Sequence, residues 1–129
     1  MEHKGFTASH QIVVDITNFE KSVGLGGDIE ALLEQSNIIL NRNLLPWDIQ
    51  EGRHYQNPGG LRLGTSEVTR LGMNKSDMDE IANLIAKLII DKKDPKKIRE
   101  EVMAFRKNFQ EVKYCFQTPN KAYEYIRFY

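Results

Sequence analysis

A chain of 129 residues has the length of one domain, able to withdraw roughly two-thirds of its unfolded surface from water and to fold alone. Its 18 Lys and Arg residues balance 18 Asp and Glu residues, which excludes the basic excess of a nucleic-acid binder and favours a small, specific ligand. No apolar run approaches the ~20 residues of a membrane span, the first residues lack a signal-peptide core, and a single cysteine cannot form an internal disulfide, so a reducing cytoplasm is the expected location.

In chain order, "HQIVVDIT" (His10 to Thr17) is short and rich in β-branched residues and reads as a buried strand. "GLGG" at Gly24 to Gly27 breaks the chain, and Asp28 is placed to cap a brief helix whose apolar face holds Ile29, Leu32 and Leu33, running through Gln35. "NIILNRNLL" (Asn37 to Leu45) reads as a second strand closed by Pro46, which cannot donate to a ladder. Trp47 to Pro58 is turn-like and polar. "GLRLGT" then resumes extended structure, with Leu61 and Leu63 on one side and Arg62 on the other.

After "EVTRLG" the pattern turns helical: Met78, Ile81, Leu84, Ile85 and Leu88 recur at three- and four-residue spacing behind the capping candidates Asn74 and Ser76. Asp94 caps a further helix with Pro95 in its first turn and a stripe of Ile98, Val102, Phe105, Phe109 and Val112. The tail "YCFQTPNKAYEYIRFY" has little periodicity, but its aromatics suggest that it docks on the body. The expected fold is α+β, a small antiparallel-rich sheet of about three strands covered on one face by helices.

The chemistry-bearing residues divide sharply. His3, His10 and His54 are not spaced as metal ligands and no second cysteine completes a zinc set, so no metal site is expected. Cys115, between aromatics, reads as a small hydrophobe. "GLGG" lacks the lysine and hydroxyl of a P-loop and reads as a turn. Arg62 differs, because a guanidinium offers two parallel donors matched to a carboxylate, and Gly59, Gly60 and Gly64 would let a ligand approach the backbone. An exposed strand arginine explains the composition equally well. Arg70 reads as a solvated or structural charge, and Asn41 and Asn43, flanking Arg42, could finish a turn or offer an amide to a heterocycle.

Taken together, "SHQIVVD", "EALLEQSNIILNRNLLPWD", "GLRLGTSEVTRLGM" and "DMDEIANLIAKLI" resemble, in order and spacing, the C-terminal domain of the serine hydroxymethyltransferase family, from about Thr7 to Phe116. The most specific part is the glycine, aliphatic, arginine, aliphatic, glycine, threonine signature at Gly60 to Thr65, supported by the Asn41 to Asn43 triplet. The resemblance implies a dimeric, pyridoxal-phosphate-dependent enzyme of the aspartate aminotransferase fold type, interconverting serine and glycine with a reduced pterin as one-carbon carrier. It implies that Arg62 takes the substrate α-carboxylate, and so sets which Cα bond stands perpendicular to the pyridoxal ring, and that Asn43 contacts the pterin.

Compared with many relatives, Gly59 replaces serine or threonine, Arg42 replaces lysine, and the second arginine falls one place early, at Arg70. "NLLPWD" and "EVTRLGM" look archaeal, which points to tetrahydromethanopterin or another modified pterin as an alternative to tetrahydrofolate. The cofactor domain, with its Schiff-base lysine, has no counterpart in these residues. Residues 1–129 are therefore read as one domain of a longer enzyme, inert alone; the alternative is a free-standing, non-enzymatic ligand-binding or regulatory module.

Overall fold

The structure, a computed structural model, describes residue 7 and residues 9–113. Its elements are β1 (Gln11–Asp15), a 3-10 turn (Thr17–Phe19), α1 (Gly26–Glu34), β2 (Asn41–Asn43), β3 (Gly60–Gly64), α2 (Ser66–Arg70), α3 (Lys75–Ile89) and α4 (Pro95–Arg106). The three strands form an antiparallel sheet in the order β1-β3-β2, so the α+β expectation holds. The aromatic tail, Cys115 and His3 lie outside the described residues.

The strand pairing decides which side chains share a face. Val14 stands opposite Leu61 and Ile12 opposite Leu63, while Val13 and Asn41 flank Arg62 and Asn43 stands opposite Gly60. Because successive side chains alternate, Leu61 and Leu63 point to the helices and Arg62 points away, as the alternation predicts. Ile29 and Leu33 of α1, Leu61 of β3, Leu84 and Leu88 of α3 and Ile98 of α4 form the buried core, each such side chain contributing about 1.5–3 kcal/mol of hydrophobic stabilisation. Between β1 and α3 this packing leaves a broad apolar groove of about 800 Å³, lined by Ile12, Val14, Ile81, Ile85 and Ile89.

The two longest helices start as their caps dictate. The Asn74 side chain accepts from the Ser76 N–H at 2.9 Å, and Asp77 Oδ2 accepts from the Asn74 N–H at 2.7 Å, closing a reciprocal box. Asp94 Oδ1 accepts from the Lys96 N–H at 3.0 Å ahead of Pro95. α4 stops at Arg106, so Phe109 and Val112 follow it instead of extending its stripe; Val112 is nevertheless buried, and the Phe105 and Phe109 rings lie 5.2 Å apart.

Other elements depart from expectation. β1 is not buried: all five residues are exposed, because it is an edge strand whose Ile12 and Val14 look into the groove and whose Val13 lies on the opposite face beside Arg62, and Ile16 just beyond it is enclosed. β2 shrinks to three residues because Asn37, at φ 60°, ends α1 in a left-handed turn, its N–H donating to Glu34 and that of Ile38 to Leu33. Asp28 is not the first cap of α1. It sits inside the helix and reaches back to the Leu25 N–H at 3.1 Å. α2, hidden within "SEVTR", was not anticipated.

Candidate functional site at the open sheet face

β3 carries Arg62 in the middle of the sheet, on the face that none of the described helices covers. Asn41 lies directly across on β2, and Asn43 is its diagonal neighbour on that face, a separation of roughly 7–8 Å in sheet geometry. Val13 of β1 flanks it on the other side. Arg62 is half-buried, and its guanidinium has no hydrogen bond or ion pair among the described residues. The other described arginines near the site are engaged: Arg42, on the helix side, donates to Glu30 at 2.6 Å and to the Tyr55 carbonyl at 3.1 Å, and Arg70 forms a two-pronged bond to Glu67 at 3.1 Å. A fork-shaped cation held by its strand but unpaired is suited to a carboxylate brought from outside.

Asn43 donates its amide N–H to the Leu44 carbonyl at 2.7 Å. That bond orients the side chain and leaves the carbonyl oxygen as its acceptor. The open face thus carries a planar cation and carboxamides in a row, a surface able to orient a small acid and an adjoining polar ring.

The glycines around Arg62 serve a different purpose from the one anticipated. A Cβ on Gly59 would lie 2.7 Å from Asp48 Oδ1, and one on Gly60 2.7 Å from the Asn43 carbonyl oxygen; only at Gly64 is the space open. Gly59 and Gly60 admit the protein's own loop, and Gly64 alone leaves room for an approaching ligand. "GLGG" is likewise occupied from within. The Gly26 N–H donates to the Pro58 carbonyl at 2.7 Å and that of Gly27 to Asn57 Oδ1 at 2.8 Å, so the start of α1 is plugged by the loop before β3. Asp28 belongs to the same contact: the Asn57 amide at 2.9 Å and then the Leu25 N–H outweigh slight burial and lower its pKa.

The residue that sequence reasoning missed is Asp48, fully buried beneath the 44–59 loop. Its Oδ2 accepts from the N–H groups of Leu45 and Gly59, each at 2.8 Å, and its Oδ1 from Arg53 Nη1 at 3.3 Å. Burial pushes this carboxyl upward, but the two backbone N–H groups and the guanidinium prevail and hold it below the usual carboxylate value. Arg53 also pairs with Glu20 and Glu51. A local signal did exist: Asp28, Asp48 and Asp77 each accept from the N–H three residues earlier, the reach-back of a capping box.

His10 contributes its carbonyl to the Thr65 N–H at 2.9 Å, and no group of three or more potential metal ligands gathers among the described residues. Among those residues no helix is long and apolar enough to cross a membrane.

The family model described as serine hydroxymethyltransferase matches residues 3–85. The chain is 53% identical over 126 residues to the serine hydroxymethyltransferase of Nitrosopumilus maritimus, with 98% of the chain and 28% of the relative covered. It is 54% identical over 124 residues to that of Korarchaeum cryptofilum (96% and 27% covered) and 43% identical over 128 residues to that of Methanocaldococcus jannaschii (99% and 29% covered). The chain therefore spans little more than a quarter of the length of these curated relatives. Among solved structures, an L-threonine transaldolase from Pseudomonas fluorescens in its internal aldimine state superposes with a TM-score of 0.64 at 27% identity, covering 84% of this chain and 22% of that one.

Proposed function

This chain belongs to the serine hydroxymethyltransferase family, and from that premise we propose that residues 1–129 are the C-terminal small domain of a pyridoxal-phosphate-dependent transferase. The enzyme interconverts serine and glycine and passes the one-carbon unit to a reduced pterin, tetrahydrofolate or tetrahydromethanopterin. It works as a cytoplasmic homodimer, without nucleic acid or membrane as partner. Arg62 binds and orients the α-carboxylate of the amino acid, and Asn43 contacts the pterin.

The observation that carries this reading is the Arg62 guanidinium, unpaired among the described residues, on the sheet face that no described helix covers, with Asn41 and Asn43 beside it. Among the described residues the strand positions of this face hold no lysine, and Lys87 of α3 is paired with Glu101 of α4 at 2.6 Å. The cofactor is accordingly assigned to a separate domain, and these residues orient the substrate carboxylate and line the pterin site. Their part is positional. A fixed, two-pronged grip on one end of the amino acid leaves the rest of it little freedom about the Cα atom, and orientation of this sort is worth several kcal/mol of a reaction barrier.

The test is Arg62→Ala in the holoenzyme. We expect kcat/KM for serine to fall about 30-fold or more, corresponding to a loss of ~2–5 kcal/mol for a truncated charge partner, with cofactor absorbance retained. Unchanged serine kinetics would remove Arg62 from the site.

A further inference from the structure

Resting on that reading and deepening it, we propose that Asp48 is a positioning residue for the same reaction: its carboxylate ties the end of β2 to the start of β3 and so fixes Asn43 and Arg62 in register on one face. β2 has three residues, too few for its own ladder to specify register strongly. A slip of one residue would turn Asn43 to the helix side and bring Arg42 to the open face. The constraint must come from outside the strands.

Asp48 supplies it through a single oxygen. Oδ2 accepts from Leu45, two residues beyond Asn43, and from Gly59, three residues before Arg62. The other side of Gly59 is held as well, its carbonyl accepting from the Ile16 N–H at 2.9 Å just past the end of β1. One peptide segment is thereby fixed to the ends of all three strands. A buried anion is costly without such bonds, and the two backbone bonds to Oδ2 both go to peptide groups close to a site residue. The position of Gly59 is part of the device, since a side chain there would displace the carboxylate.

A role in fold stability alone would reduce the amount of active enzyme without altering how that enzyme holds its substrates. The discriminating experiment is Asp48→Asn in the holoenzyme, which puts an amide N–H₂ against Arg53 Nη1 and loosens the clamp. KM for serine and KM for the pterin should rise together, each by about tenfold, with cofactor content per protomer preserved. In parallel, Arg62→Ala should raise only the serine KM and Asn43→Ala only the pterin KM.

If both single variants act so and Asp48→Asn leaves both KM values within about twofold of the parent, the clamp is refuted and the site stands. If Arg62→Ala leaves the serine KM untouched, the site reading itself has failed and the clamp falls with it. Should Asp48→Asn not load cofactor, Gly59→Ala, whose methyl group would meet Asp48 Oδ1 and displace the carboxylate, must give the same paired rise; unchanged KM values there overturn the proposal.

Discussion

The two faces of β3 are built on opposite rules. Leu61, turned to the helices, is 3% exposed and packs with α1 and α3 in the core; Arg62, one residue later, is half-buried and unpaired among the described residues. On the first face Leu61 is enclosed by internal partners. On the second a costly cation is kept without one. The difference teaches that one strand can divide its labour by parity, with alternate residues holding the domain together and equipping its surface.

The largest expected effect follows from breaking that division on the apolar side. Leu61→Ala should lower the free energy of unfolding by about 2–5 kcal/mol, read from the urea midpoint, while enzyme that remains folded keeps its serine KM. Arg62→Ala should do the reverse. If Leu61→Ala raised KM without shifting the midpoint, the separation of the faces would be wrong.

A smaller effect is expected from acid. The Asp48 and Asp28 carboxyls are both held below their ordinary values, so their stabilisation is complete above the unfolded value of about 3.9 and is lost as pH falls through the lower folded values. The urea midpoint should hold between pH 7 and about 5 and drop below about 4, and Asp48→Asn should flatten that fall. An acid limb identical in parent and variant would mean that Asp48 does not contribute. The smallest effect belongs to the surface: the Lys87–Glu101 pair, 36% and 46% exposed, should cost at most ~1 kcal/mol when Lys87 becomes Ala. A larger loss would show that the outer helices are tied by charge more than by the Ile98 contact.

Much of this was legible in the sequence where the controlling interactions are local. Asn74, Asp94 and Pro95 mark helix starts through bonds spanning two or three residues, and the alternation in "GLRLG" sets the parity of Arg62. Family resemblance, not spacing, raised Arg62 and Asn43 above bland alternatives. What escaped depends on distant partners. The edge position of β1 is set by β3, some fifty residues away, and no local pattern tells a buried strand from one facing a groove. The plug on α1 comes from Asn57 and Pro58, and the burial of Asp48 needs Gly59 and Arg53 around it. Gly59 and Gly60 misled because a missing side chain looks the same whether the visitor is a ligand or the chain's own loop.

The position of β1 carries a practical consequence. Its outer rim shows no strand neighbour among the described residues, and Ile12, Val13 and Val14 are each more than 40% exposed. Such a rim is a template on which another extended peptide can add itself. Stocks of the chain prepared by itself should therefore self-associate in proportion to concentration, and a single lysine introduced at Val13 should suppress clumping.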